Sequence, residues 1–269
     1  MADGPTYQRI ADLLREEIRA GTWNPGDRLP SHSELADRMR VSITTARNAI
    51  QVLVAENLVY TATSRGTIVR SREVLESVVT DHIRPDRPCS EHDIFEEIAR
   101  AANRVPTKEF SAHMEPAGSE VAHWLGVTEG AWVLARTVVQ FLDNEPWSWE
   151  VSFYPRELAE ATGIDAPHDI AGGTTRRLAE CGYAETAHRD TVVARPATAE
   201  EAIVLGVGTG TMLLDHLRLG ATHERVTRAT RLRAIATRNR LAYELGDDEG
   251  TAVIRRTLAN SPAPGISLP

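Results

Sequence analysis

Between Ser33 and Leu53 the chain carries two helical patterns separated only by Arg40-Val41-Ser42, and this break constrains the fold more than anything else in the sequence. Leu35, Ala36 and Met39 form the inward side of the first pattern. Ala46, Ala49, Ile50 and Leu53 form a single stripe on the second, leaving Thr44, Thr45, Arg47, Asn48 and Gln51 outward. Ser42 is a good N-cap, so the second helix must restart at once after the first has stopped. An earlier helix is predicted from Tyr7, Ile10, Ala11, Leu14 and Ile18, ended by Gly21 and followed by the turn Pro25-Gly26. Downstream, Leu58–Thr61 and Thr67–Val69 read as two short strands around a polar tip, Ala62 to Gly66. Helix, helix, tight turn, helix and hairpin make a winged helix-turn-helix.

The remainder follows a different plan. Residues 70–93 are a charged connector with Pro85 and Pro88. Beyond it a weak repeat relates Val121-Ala122-His123-Trp124-Leu125-Gly126-Val127-Thr128-Glu129-Gly130 to Glu201-Ala202-Ile203-Val204-Leu205-Gly206-Val207-Gly208-Thr209-Gly210. Each copy reads as a short helix ended by glycine, then a hairpin. A duplicated unit of this kind builds an α+β domain, a mostly antiparallel sheet with helices on one side. The expected division is a head at 1–72, a linker at 73–93, a second domain at 94–247 and a C-terminal extension at 248–269 with a flexible end. In the first hairpin Val133, Ala135, Thr137, Val139, Phe141, Trp147, Trp149, Val151 and Phe153 share an apolar face. Arg136, Gln140, Ser148, Glu150, Ser152 and Tyr154 share the opposite, polar face, which is either solvated or lines a site.

Charge separates the two parts. The net charge is −8, yet residues 1–72 hold ten Arg against eight Asp and Glu, a net of +2 that leaves −10 on the rest. A mildly basic head on an acidic body fits a small nucleic-acid reader. No apolar run approaches the ~20 residues of a membrane span, and the N-terminus lacks a signal-peptide core, so a cytoplasmic protein is expected. Cys89 and Cys181 stand far apart, and the nine histidines are scattered without helical i,i+4 pairs, so neither a disulfide framework nor a metal site is expected, and no cofactor. No nucleophile-elbow, zinc-protease or phosphate-loop pattern is present. The glycine run Gly206–Gly210 precedes a strand instead of opening a helix, which argues against phosphate binding.

Pro25-Gly26-Asp27-Arg28-Leu29-Pro30-Ser31, Glu34-Leu35-Ala36, Val41-Ser42, Thr44-Thr45-Ala46-Arg47 and Arg65-Gly66-Thr67 resemble the GntR family of bacterial regulators. Leu125-Gly126 with Gly130, Asp143-Asn144-Glu145-Pro146, Glu150 with Tyr154-Pro155, and Arg238-Asn239-Arg240 resemble the effector domain of its HutC branch, which has a chorismate-lyase-like fold. The resemblance implies a dimeric transcription factor, a repressor that binds palindromic double-stranded DNA and responds to a small molecule. An effector-independent regulator of plasmid type and a lyase-like enzyme are the competing readings.

By the resemblance and by helix-turn-helix geometry, Arg47 is the leading base contact, with Thr44, Thr45 and Asn48 beside it. Ser31, His32 and Ser33 lie at the start of the preceding helix, Ser42 and Ile43 at the start of the reading helix, and Arg65, Gly66 and Thr67 on the wing. Ser33 and Ile43 stand where many relatives have arginine, so the operator is expected to differ from the commonest half-site. The implied effector residues are Arg136, Gln140, Glu150, Thr175, Arg218, Arg228 and Tyr243. Val138 and Gln140 occupy places often held by arginines, which disfavours a strongly anionic ligand and points to a mixed polar–aromatic metabolite. Trp147 and Trp149, on the apolar parity, are expected in the core.

Overall fold

The computed structural model describes residues 5–62, 65–71, 74–80 and 93–259. The head comprises α1 (Thr6–Arg19), α2 (His32–Met39), α3 (Ile43–Ala55), β1 (Val59–Ala62) and β2 (Gly66–Val69). Ile10, Ala11 and Leu14 of α1 meet Leu35 and Ala36 of α2 and Ala46, Ala49, Ile50 and Leu53 of α3, with Leu29, Val59 and Val69 completing one core. The turn chemistry explains the tight restart. Ser31 and Glu34 form a reciprocal capping box on α2, and Arg40 adopts a left-handed φ of 52° to end it. Ser42 Oγ then accepts the Thr45 N–H at 3.1 Å and opens α3. Arg28 bridges Ile68, adding a short third rung to the β1–β2 hairpin.

The body is built on β4 (Pro106–Pro116), β5 (Trp132–Leu142), β6 (Glu145–Pro155), β7 (Ala187–Pro196), β8 (Met212–Ala221) and β9 (Val226–Ile235). They form one six-stranded sheet in the order β4-β5-β6-β9-β8-β7, and every neighbouring pair is antiparallel. The order is a palindrome because the repeat is real. α5 (Ser119–Leu125) links β4 to β5 as α8 (Ala199–Leu205) links β7 to β8. Both helices end on left-handed glycines, Gly126 and Gly206. Even the loop bonds correspond: Ala117 N–H to Ala131 O at 2.8 Å, and Ala197 N–H to Thr211 O at 2.9 Å. Each repeat also includes a leading edge strand, β4 or β7, that the helix-plus-hairpin pattern did not contain.

Helices cover both faces of the sheet, not one. α5 and α8 pack on the apolar parity, against Val133, Phe153 and Ala229 and against Trp149, Leu213 and Ile235. The opposite face carries α6 (Arg156–Thr162) and α7 (Gly173–Glu180), joined through Leu134, Tyr154, Leu158 and Leu178. α4 (Ile94–Ala101) closes the same face near Leu142 and Trp147. Beside these contacts the polar positions of that face leave a cavity between the sheet and its cover.

The expected linker contains structure. β3 (Leu75–Val78) pairs in parallel with β10 (Asn239–Ala242), so the segment leaving the head is bound into the body. Residues 81–92, with Pro85, Pro88 and Cys89, lie outside the described residues. In the C-terminal extension α9 spans Asp248–Ala259; the end expected to be flexible lies outside the described residues.

Candidate functional site

The molecule carries two candidate surfaces, one on the head and one inside the body. On the head, α3 presents Ile43, Thr44, Arg47 and Asn48 to solvent, with Ser42 exposed at its start. Ile43 is 52% exposed, so its side chain is free to meet an external partner. Ser42 and Thr45 share a hydroxyl contact of 2.8 Å and hold the first turn of α3 rigid. Ser33 is exposed and His32 half-buried beside it, while Ser31 is committed to its capping box. On the wing, Arg65 is exposed and Gly66 is half-buried. Thr67 does not belong with them. It is 7% exposed, because its place in β2 turns it inward, and its carbonyl accepts the Leu29 N–H.

The second surface is a cavity of about 550 Å³ between the polar face of the sheet and its cover. That volume suits a small metabolite. Arg136, Gln140, Glu150, Thr175, Arg218 and Arg228 all line it, as do Ser148, Ser152 and Tyr154 of the polar parity. Tyr243 does not: it sits just past β10 and is 46% exposed. Trp147 changes sides. A bulge after Gln140 pairs Phe141 with Pro146 and leaves Trp147 as the extra residue, so strict alternation fails there. The ring is buried and lines the cavity, while Trp149 stays on the α8 face.

Polar groups in the cavity are largely committed to one another. Arg136 donates to the carbonyls of Ile164, Ala166 and His168 at 2.6, 2.6 and 2.9 Å. Arg218 holds Asp190 through Nε and Nη2 at 2.7 and 3.0 Å, and His216 Nε2 lies 2.8 Å from the same carboxylate. Burial would raise the Asp190 carboxyl, but these His216 and Arg218 bonds hold it well below the usual range. Arg228 bridges Glu185 at 2.6 Å and Thr175 at 2.7 Å. Burial pushes the Glu150 carboxyl up and the His188 imidazole down. His188, Thr174, Thr230 and the β3–β10 pair complete the wall. β-period parity finds the Glu150 face, but nothing local in 75–78 announces a cavity wall.

Head and body meet through hairpin tips. Glu145 binds both Arg70, at 2.9 Å, and Arg238, with all three side chains at most 4% exposed. Desolvation lowers the Arg70 guanidinium to about 10 despite the carboxylate beside it. Arg65 Nη2 donates to the Asn144 carbonyl at 3.0 Å, and Asn57 donates to Thr237 Oγ1 at 3.2 Å. Arg238 lies 4.2 Å over the Trp147 ring, which connects this junction to the cavity.

A family model for bacterial regulatory proteins of the gntR family matches residues 6–69, and one for the UTRA domain matches residues 101–240. The chain belongs to the GntR family and carries a UTRA domain. It is 27% identical to an HTH-type transcriptional regulator of Rhizobium meliloti (strain 1021), over 88% of this chain and 94% of that protein. Identity to the histidine utilization repressor of Pseudomonas putida is 29%, over 54% of this chain and 56% of that one. Among solved structures, a GntR-family transcriptional regulator covers 91% of this chain and 99% of its own, with a TM-score of 0.56 and 28% identity. PhnF of Mycobacterium smegmatis shares the fold with a TM-score of 0.54 at 20% identity, over 89% and 99% of the chains. The GntR head is thus a DNA-binding module, and the UTRA domain makes the protein a ligand-modulated transcription regulator. No described helix is long and apolar enough to cross a membrane.

Proposed function

We propose that this GntR regulator is a repressor that binds a palindromic operator as a homodimer, and that a metabolite in the UTRA cavity changes how its heads are held. One observation carries the coupling: β3, the segment that leaves the head, is itself part of the cavity wall through its pairing with β10. A ligand that contacts this wall acts on the tether of the head directly. Such a ligand shifts the protein only if it binds the two head arrangements unequally.

In this reading Arg47 reads guanine in the major groove, with Thr44, Asn48 and Ile43 beside it, and the wing reaches the minor groove. Arg65 spends Nη2 on the Asn144 carbonyl, so in this reading DNA binding competes with that tip contact for the side chain. Two heads must then match half-sites about one turn apart, ~34 Å. The UTRA domain is a binding module and not an enzyme, since the relatives it resembles over most of its length carry regulator names. Operator binding places the protein in the cytoplasm.

The test is footprinting on the DNA upstream of the protein's own gene, followed by operator titration with and without a metabolite library. Protection of a two-fold symmetric site, with affinity altered by some library member, is the expected result. Repression in cells with no member of the library altering operator affinity argues for an effector-independent regulator.

A further inference from the structure

The arginines of the cavity are already answered, and its central acid is not. Arg218 is neutralised by Asp190, and its Nη2 also donates to the Val79 carbonyl at 3.2 Å. Arg228 is neutralised by Glu185. Arg136 has its fork closed by three carbonyls. None of these three offers the free planar pair of donors that a phosphate or carboxylate clamp requires, and Arg176, the fourth arginine of the lining, is exposed and bound through Nε to Glu180 at 2.8 Å. Among the described residues Glu150 receives one hydrogen bond, from Ser152 Oγ at 3.2 Å, and it pairs across the sheet with Val138 on one neighbouring strand and Leu232 on the other. Two further carboxylates of the lining, Asp93 and Asp169, lie 2.5 and 3.2 Å from the Lys108 ammonium just outside it, which Glu96 also approaches at 2.9 Å. Phe95, Phe110, Trp147 and Leu241 supply apolar surface around these groups.

We propose that the cavity selects an organic cation, a protonated amine or amidine on an aromatic or aliphatic body, with the Glu150 carboxylate as its counter-ion. This rests on the reading of the cavity as the effector site and adds the charge of the effector to it. Arg228 and Arg218 attract this carboxylate only through space, their hydrogen bonds being spent on Glu185, Thr175, Asp190 and Val79, so a ligand ammonium brings the missing donors together with further opposite charge. A phosphorylated ligand meets Glu150, Asp93 and Asp169, with the forks of Arg136, Arg218 and Arg228 already engaged. Among the described residues Arg228 Nε and His188 Nδ1 are buried without a hydrogen-bond partner, the Glu185 carboxylate lying 3.8 Å from the latter, and they remain for a neutral polar group on the same ligand.

The full-length protein is titrated calorimetrically with four probes of one shape: 2-phenylethylamine, 2-phenylethanol, 3-phenylpropionate and 2-phenylethyl phosphate. The amine is expected to bind at least about tenfold more tightly than the alcohol, and both anions more weakly still. Glu150→Gln, which keeps the shape and the Ser152 contact, is expected to bring amine and alcohol within about twofold. The proposal is overturned if the alcohol or either anion equals the amine, if the amine shows no saturable binding at millimolar concentration, or if a folded Glu150→Gln keeps the preference. The wild-type ranking decides the matter even where the variant folds poorly. Operator affinity measured with the amine separates the two readings. Amine selectivity without any change in DNA binding sinks the effector role alone, whereas an anion that alters DNA binding sinks the cation alone.

Discussion

Arg47 and Ile43 stand on the same exposed turn of α3 and differ in what their removal tests. Arg47→Ala removes a planar fork and is expected to weaken operator binding by roughly 1–3 kcal/mol while relaxing preference at one base pair. Ile43→Arg restores a cation and is expected to change base preference at the half-site, read by titrating operators mutated at each position; an unchanged preference removes Ile43 from the reading face. Glu145 poses a structural question instead. It is the single carboxylate between Arg70 and Arg238, and Glu145→Ala leaves two buried guanidinium groups facing one another. Removing one partner of such a buried set costs roughly 3–5 kcal/mol, so the urea midpoint should fall sharply. The sequence marks Glu145 only as part of a turn, because both of its partners are distant along the chain.

At the scale of elements, α8 shows how a local signal acquires a tertiary role. Thr198 and Glu201 form its capping box, and Glu201 also receives two bonds from Arg195 at 2.6 and 2.7 Å. Arg195 chiefly, against burial, brings the Glu201 carboxyl down to about 2 from its model-compound value of 4.5. A depressed carboxyl stabilises the fold above its unfolded value and loses that contribution as pH falls toward the folded one. Stability is therefore expected to fall as pH drops from about 4.5 to about 2, and Glu201→Gln to flatten that part of the profile in thermal melts. The helices of the head and the repeated glycine-ended helices were readable because caps and apolar periods lie within single turns of chain. β3 and the edge strands β4 and β7 were not, since a strand's neighbour is not encoded in the strand. The bulge at Trp147 has the same character: alternation is a local rule, and one extra residue reverses it.

For the whole molecule, the docking of the head is the decisive arrangement. A Cβ on Gly208 would lie 2.8 Å from the Ala55 Cα, so only glycine lets the end of α3 approach the loop after α8 this closely. The glycine run that superficially resembles a nucleotide loop thus contributes a close contact between domains, together with the Gly206 carbonyl that accepts Arg70 at 2.7 Å. Gly208→Ala is expected to cost about 1–3 kcal/mol by overpacking. Calorimetry should then show the head melting apart from the body; a single unchanged transition would show that the contact does not hold the head.

What the chain settles locally is the winged helix-turn-helix, the duplicated unit and the polar face that holds Glu150. Periodicity, capping and turn residues act over a dozen residues or fewer, and each agrees with its neighbours in this chain. The tertiary structure alone decided that helices roof both faces of the sheet, that the polar face lines a cavity, and that the connector becomes a wall. It also placed Thr67 inward and left Tyr243 outside. These outcomes depend on pairs such as Arg218 with Val79 and Arg70 with Glu145, 139 and 75 residues apart. Burial and ion pairing at that separation arise only when the repeats close into one sheet and the head comes to rest on its tips.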